Sequence, residues 1–150
     1  MEAAKYRIRR MFRNSMRVLV GLGLSLGSSV VHAQYNEKFE TWSASSADAW
    51  QTQSLSGAPF SVPAGAVVEI AVRNSGTGSS RSAGVRAAGS SLDRRFTLKA
   101  ATGGGSSVMT MHVQTNASSQ IQHYAANTTD VDFVLLGYWD CGTYVEQMKS

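Results

Sequence analysis

The sequence predicts an all-β fold, an antiparallel β-sandwich or jelly roll of about seven or eight strands, preceded by a cleaved secretory signal peptide. Three observations carry this reading. Short segments of alternating polarity recur after residue 33 of the 150-residue chain, and alternation at period 2 is the mark of a half-buried strand. Clusters rich in Gly, Pro, Asn and Ser separate those segments and supply the residues that turns require. No stretch sustains the 3.6-residue apolar stripe of an amphipathic helix.

The leader comes first. Six basic residues (Lys5, Arg7, Arg9, Arg10, Arg13, Arg17) precede the run VLVGLGLSLGSSVV, from Val18 to Val31. That run suits a signal h-region and is short for a spanning helix, and Val31-His32-Ala33 offers small residues before a cleavage site. Cleavage after Ala33 is the expectation, which makes residues 34–150 one domain, large enough to bury a core unaided. It also changes the charge. Six of the 14 Lys and Arg and one of the 10 Asp and Glu lie in the leader, so the formal balance of +4 becomes 8 basic against 9 acidic residues, a net of −1. The basic pI therefore belongs to targeting and is no warrant for nucleic-acid binding. A secreted or periplasmic location follows, with no stable membrane insertion after cleavage.

The clearest strands are Ala66 to Arg73, Arg94 to Ala100, Val108 to Gln114, Gln120 to Ala125 and Val131 to Trp139. Weaker ones are Tyr35 to Trp42, Ala58 to Val62 and Ala83 to Ala88. Residues 43–57 read as a loop or a single helical turn, with Trp42 and Trp50 packing nearby. Alternation turns Val68, Ile70 and Val72 inward, with Phe96 and Leu98, and with Met109, Met111 and Val113. The turn TNASS suggests a hairpin. In the register that pairs Val113 with Ile121 and Met111 with His123, one face is apolar and the other holds Thr110, His112, Gln114, Gln120, Gln122 and Tyr124. His123 is then half-buried and structural and His112 lies on the surface, so no metal pair is expected.

Other chemistry is sparse. Asp130 and Asp132 make one Asp-x-Asp without the spacing of a calcium loop, and a solvated turn is the expectation. Arg73, Arg81, Arg86, Arg94, Arg95 and Lys99 face only Asp93 in their segment, a solubility feature or an anionic docking surface. There is no G-x-S-x-G, P-loop, H-E-x-x-H or C-x-x-C. Ser91, Asp93 and His112 are a Ser/His/Asp trio close in sequence that a hydrolase site would use. Asn116-Ala-Ser118 and Asn127-Thr-Thr129 match the glycosylation sequon. Cys141, the single cysteine, has Asp140 beside it, which disfavours a thiolate. Catalytic residues, cofactors and metals are all expected to be absent.

The stretch VDFVLLGYWDC, from Val131 to Cys141, is apolar on both faces. Val131, Phe133, Leu135, Gly137 and Trp139 make one, and Val134, Leu136 and Tyr138 make the core of the other. The second face needs a cover, from residues 43–57 or Thr143 to Met148, or else a partner. Val134, Leu136 and Tyr138 are thus the candidate partner or self-association face, and Gly137 makes room for a neighbouring Trp. Tyr124, Trp139 and Tyr144 are the candidate surface aromatics. The function expected is a secreted, non-enzymatic module for binding or adhesion, whose partner is a surface, a glycan or another protein. A structural subunit of an extracellular assembly is the first alternative and a small secreted hydrolase the second.

Overall fold

The computed structural model describes residues 33–140, so the leader, Cys141, Tyr144 and the segment from Thr143 to Met148 lie outside the described residues. Within them the chain is all-β, with eight strands and no helix. These are β1 (Tyr35–Ser43), β2 (Trp50–Ser54), β3 (Val67–Asn74), β4 (Arg81–Ala87), β5 (Arg95–Leu98), β6 (Ser107–Gln114), β7 (Gln120–Ala125) and β8 (Val131–Trp139). They form two four-stranded antiparallel sheets, ordered β1-β8-β3-β6 and β2-β7-β4-β5.

The inner faces of the two sheets share one core. Val68, Ile70, Val72, Val113, Val131, Phe133 and Leu135 come from the first sheet, and Ala83, Val85, Leu98, Ile121 and Ala125 from the second. Residues 55–66 close one end of that core. The expected strand from Ala58 to Val62 is instead a turn, in which the Ser61 amide donates to the Gly57 carbonyl and the Val62 amide to the Leu55 carbonyl. Pro59 follows a cis peptide bond. The turn still delivers Phe60 and Val62 to the interior, which is why its apolar content resembled a strand. Residues 43–57, read as a loop or helical turn, contain β2, whose five residues are too few for a clear period.

The hairpin reading of TNASS is also corrected. β6 pairs with β3, whereas β7 pairs with β2 and β4, so residues 115–119 carry the chain from one sheet to the other. Tyr124, Gln122 and Gln120 therefore lie on a different sheet from Thr110, His112 and Gln114. His123, on the inner face of β7, is 3% exposed. Its ring lies 4.9 Å from Phe133 and 6.2 Å from Trp42, and neither of its nitrogens has a hydrogen-bond partner. Burial lowers its pKa to about 4. Met109, expected inside, is 43% exposed, because β6 is an edge strand and the core thins there.

β8 holds the main departure from simple alternation. Gly137 pairs with Glu69 and Leu135 with Ile70, which leaves Leu136 unmatched in a bulge, and opposite it β1 inserts Lys38 and Phe39. A bulge switches the faces beyond it. Val131, Phe133 and Leu135 point inward as expected, but Tyr138 then packs against the core while Gly137 and Trp139 turn outward. Val134, Leu136 and Tyr138 do not form one face. Val134 is covered within its own sheet, in a row with Thr41, Ala71 and Thr110, and is 2% exposed.

A candidate ligand-binding face

The bulge puts Trp139 on the outer face of the β1-β8-β3-β6 sheet, where two cross-strand rows meet. One row runs Tyr35, Trp139, Val67, Gln114, and the next runs Glu37, Gly137, Glu69, His112. The Tyr35 and Trp139 rings lie with centroids 4.7 Å apart at 51°, and the His112 ring is 5.4 Å from Trp139. The Tyr35 hydroxyl donates to Glu69 Oε2 at 2.7 Å, and His112 Nε2 lies 3.5 Å from Glu69 Oε1. Glu69 thus sits between a phenol and an imidazole, under the edge of an aromatic pair. Partial burial, then the bond to Glu69, pushes the Tyr35 hydroxyl up to about 12, so it remains a neutral donor at any working pH.

Gly137 is what lets Tyr35 lie flat. A Cβ at 137 would overlap the Tyr35 ring and crowd the Asn36 carbonyl. The room that this glycine makes is for a tyrosine across the β1 pairing, not for a tryptophan. At the same end of the sheet the Asp140 amide donates to the Gln34 carbonyl, which ties the start of β1 to the end of β8 beside the pair. What the arrangement offers chemically is two partly exposed rings beside a carboxylate and an imidazole, with Gln114 at the end of the row donating its amide to the Gly65 carbonyl. A carboxylate engaged on both oxygens suits hydrogen-bonding recognition.

The outer face of the other sheet is built differently. Tyr124, expected to be a surface aromatic, is 6% exposed. Trp50 lies 5.7 Å from it, Arg95 covers it at 4.9 Å and Arg86 covers Trp50 at 4.1 Å. The Tyr124 hydroxyl donates to Asp48 at 2.8 Å, and Arg86 donates to Gln122 and to the Leu92 carbonyl. This is a closed ladder of guanidinium and ring, with its polar groups already satisfied. Of the three candidate surface aromatics, Trp139 joins the Tyr35 and His112 cluster, Tyr124 does not, and Tyr144 lies outside the described residues.

Three cations of the basic segment are paired with carboxylates. Arg81 donates twice to Asp130, Arg73 pairs with Asp132 at 3.2 Å, and Arg95 grips Asp93 and holds its carboxyl below the usual range. Asp130 and Asp132 thereby serve separate arginines, and no group of three metal-ligating side chains occurs among the described residues. Asp93 pairs with Arg95 while the His112 ring faces Glu69, so the trio with Ser91 is not assembled by these contacts. Asn116 and Asn127 spend their side-chain oxygens capping their own turns. The sequence reading missed Tyr35 and Glu69 as a pair. The signal was the outward position of Glu69 between the apolar residues Val68 and Ile70.

Comparison of the chain with family models, with curated proteins and with solved structures returns no match.

Proposed function

We propose that this protein is an exported, non-enzymatic β-sandwich module that binds a glycan on the outer face of the β1-β8-β3-β6 sheet. The observation that carries it is the Tyr35 and Trp139 pair, set beside Glu69 and His112. Sugar rings present C–H faces that settle on aromatic rings and hydroxyls that seek carboxylates, amides and imidazoles, and a shallow platform with a polar rim serves both. A protein partner fits less well. The most exposed large apolar side chains, Phe39, Leu92, Val108 and Met109, are spread over β1, the β4–β5 loop and β6.

A glycan array probed with the exported protein tests this, followed by calorimetric titration of the strongest oligosaccharide. Binding is expected in the range usual for shallow sugar sites, and Trp139→Ala is expected to abolish it while the unfolding transition persists. Failure of every arrayed glycan, or a Trp139→Ala variant that binds as well as the parent, overturns the reading.

A further inference from the structure

Each sheet has two edge strands, and an unprotected edge is a template for another chain. The four edges here are β1, β6, β2 and β5. β1 carries Glu37, Lys38 and Glu40 and is broken by its bulge. β2 and β5 have five and four residues. Short length, charge and bulges are the usual devices that keep edges apart. β6 has none of them. Its eight residues, SVMTMHVQ, run in unbroken register with β3, include no Pro, Lys, Arg, Asp or Glu, and expose Val108 and Met109 at 54% and 43%. Among the described residues no strand pairs with β6 on its other side. Arg94 donates to the His112 carbonyl at 3.2 Å, which leaves the part from Val108 to Met111 as the accessible stretch.

We propose that β6 pairs antiparallel with β6 of a second copy of this chain, about a twofold axis at Thr110. The strand's own sequence argues for that occupant. It reads Met-Thr-Met around Thr110, so a twofold there sets Thr110 against the partner's Thr110 on the outer face and Met109 against the partner's Met111 on the inner face. Val108 falls opposite the partner's His112, whose carbonyl Arg94 already holds, so the hydrogen-bonded pairing centres on the two Thr110 residues. Met109 gains the partner's Met111 as a cross-strand neighbour and Val108 the partner's His112, and no like charges meet. A strand of another protein would need that pattern supplied. A second copy carries it by necessity, since a twofold interface presents the same patch from both sides.

The pairing fuses two four-stranded sheets into one of eight strands, with both outer faces on the same side. The two β8 strands then lie about 24 Å apart, five strand spacings. Two copies of the Tyr35 and Trp139 platform would face one way, which makes the dimer bivalent toward any repeating ligand. The dimer does not depend on the glycan reading, because the edge rests on Val108, Met109 and Thr110, and of the platform only His112 lies on the same strand.

Analytical ultracentrifugation of the exported chain at up to about 100 μM, a range that covers weak specific dimers, is the first test. A concentration-dependent dimer is expected. Thr110→Lys, at an exposed position, should leave thermal unfolding almost unchanged and raise the dimer dissociation constant at least about tenfold by setting two ammonium groups face to face. Directly opposed residues in a hydrogen-bonded antiparallel pair have Cα atoms about 5.5 Å apart, within disulfide reach. A Thr110→Cys, Cys141→Ser variant should therefore cross-link to a dimer on mild oxidation. A chain that stays monomeric throughout overturns the proposal. So does a dimer that Thr110→Lys leaves intact and that position 110 does not cross-link.

Discussion

The ring of Tyr35 occupies the space that a Cβ at Gly137 would need, so the outer face of the β1-β8-β3-β6 sheet owes its aromatic pair to the absence of a side chain one strand away. Gly137→Ala should push the Tyr35 ring off the sheet and strain the β1–β8 pairing at the Asn36 carbonyl. A loss of about 1–3 kcal/mol, the usual cost of overpacking, is expected in urea unfolding. Sugar affinity should fall with it. Tyr35→Ala in the same chain should recover only part of the stability, because the backbone contact remains.

His123 makes the fold sensitive to acid. Its imidazole stays neutral in the folded protein down to about pH 4, whereas an unfolded histidine takes up a proton near pH 6.5. Between those values the unfolded state binds more protons, so stability falls as pH falls. Over the whole window the loss is about 3 kcal/mol, and above pH 6.5 this group contributes no slope. Urea midpoints at pH 7.5, 5.5 and 4.5 check the sign. His123→Leu, which removes two unpartnered buried nitrogens, should flatten the profile.

Asn74 is fully buried at the end of β3 and ties two loops together. Its Nδ2 donates to the carbonyls of Ser79 at 3.1 Å and Lys99 at 2.8 Å, and its Oδ1 accepts from the Gly76 amide at 3.0 Å. Asn74→Ala strands those backbone groups, and an expected cost of about 2–4 kcal/mol follows from leaving buried partners unmade. Hydrogen exchange should show the loosening first in residues 75–80 and 99–101.

The two outer faces can be told apart by one pair of variants. Arg86→Ala removes the guanidinium over Trp50 and its bond to Gln122, and it should cost about 0.5–1.5 kcal/mol of stability with sugar affinity unchanged. Glu69→Gln keeps the shape of the other face and removes its charge. Affinity in calorimetry should fall about tenfold, as befits one charge-assisted hydrogen bond weakened to a neutral one. Stability should barely move.

β7 and β8 were legible in the sequence to the residue, and β3, β5 and β6 to within two, because their period-2 alternation is a local property of the chain. Val68, Ile70, Val72 and Val113 were legible as core for the same reason, since each sits on a strand whose partners keep step with it. Alternation alone set Trp139 on the core face of β8, and only the bulge at Leu136 turns it outward; Tyr124 was misread as a surface aromatic, because its cover comes from Arg95 and Trp50 on other strands. β2 and the Phe60 turn were hidden, since neither is long enough to show a period.

By itself the sequence determined which segments extend, which side chains alternate and how the formal charge divides between residues 1–33 and the rest. These follow from bonds and sterics within a few residues. Only the tertiary structure decided that β6 and β7 part into different sheets, and that Leu136 bulges so that Trp139 turns out and Tyr138 in. It alone set Tyr35 across Gly137 onto Glu69. Each depends on pairing with distant strands, and one unmatched residue in such a pairing reverses every face beyond it.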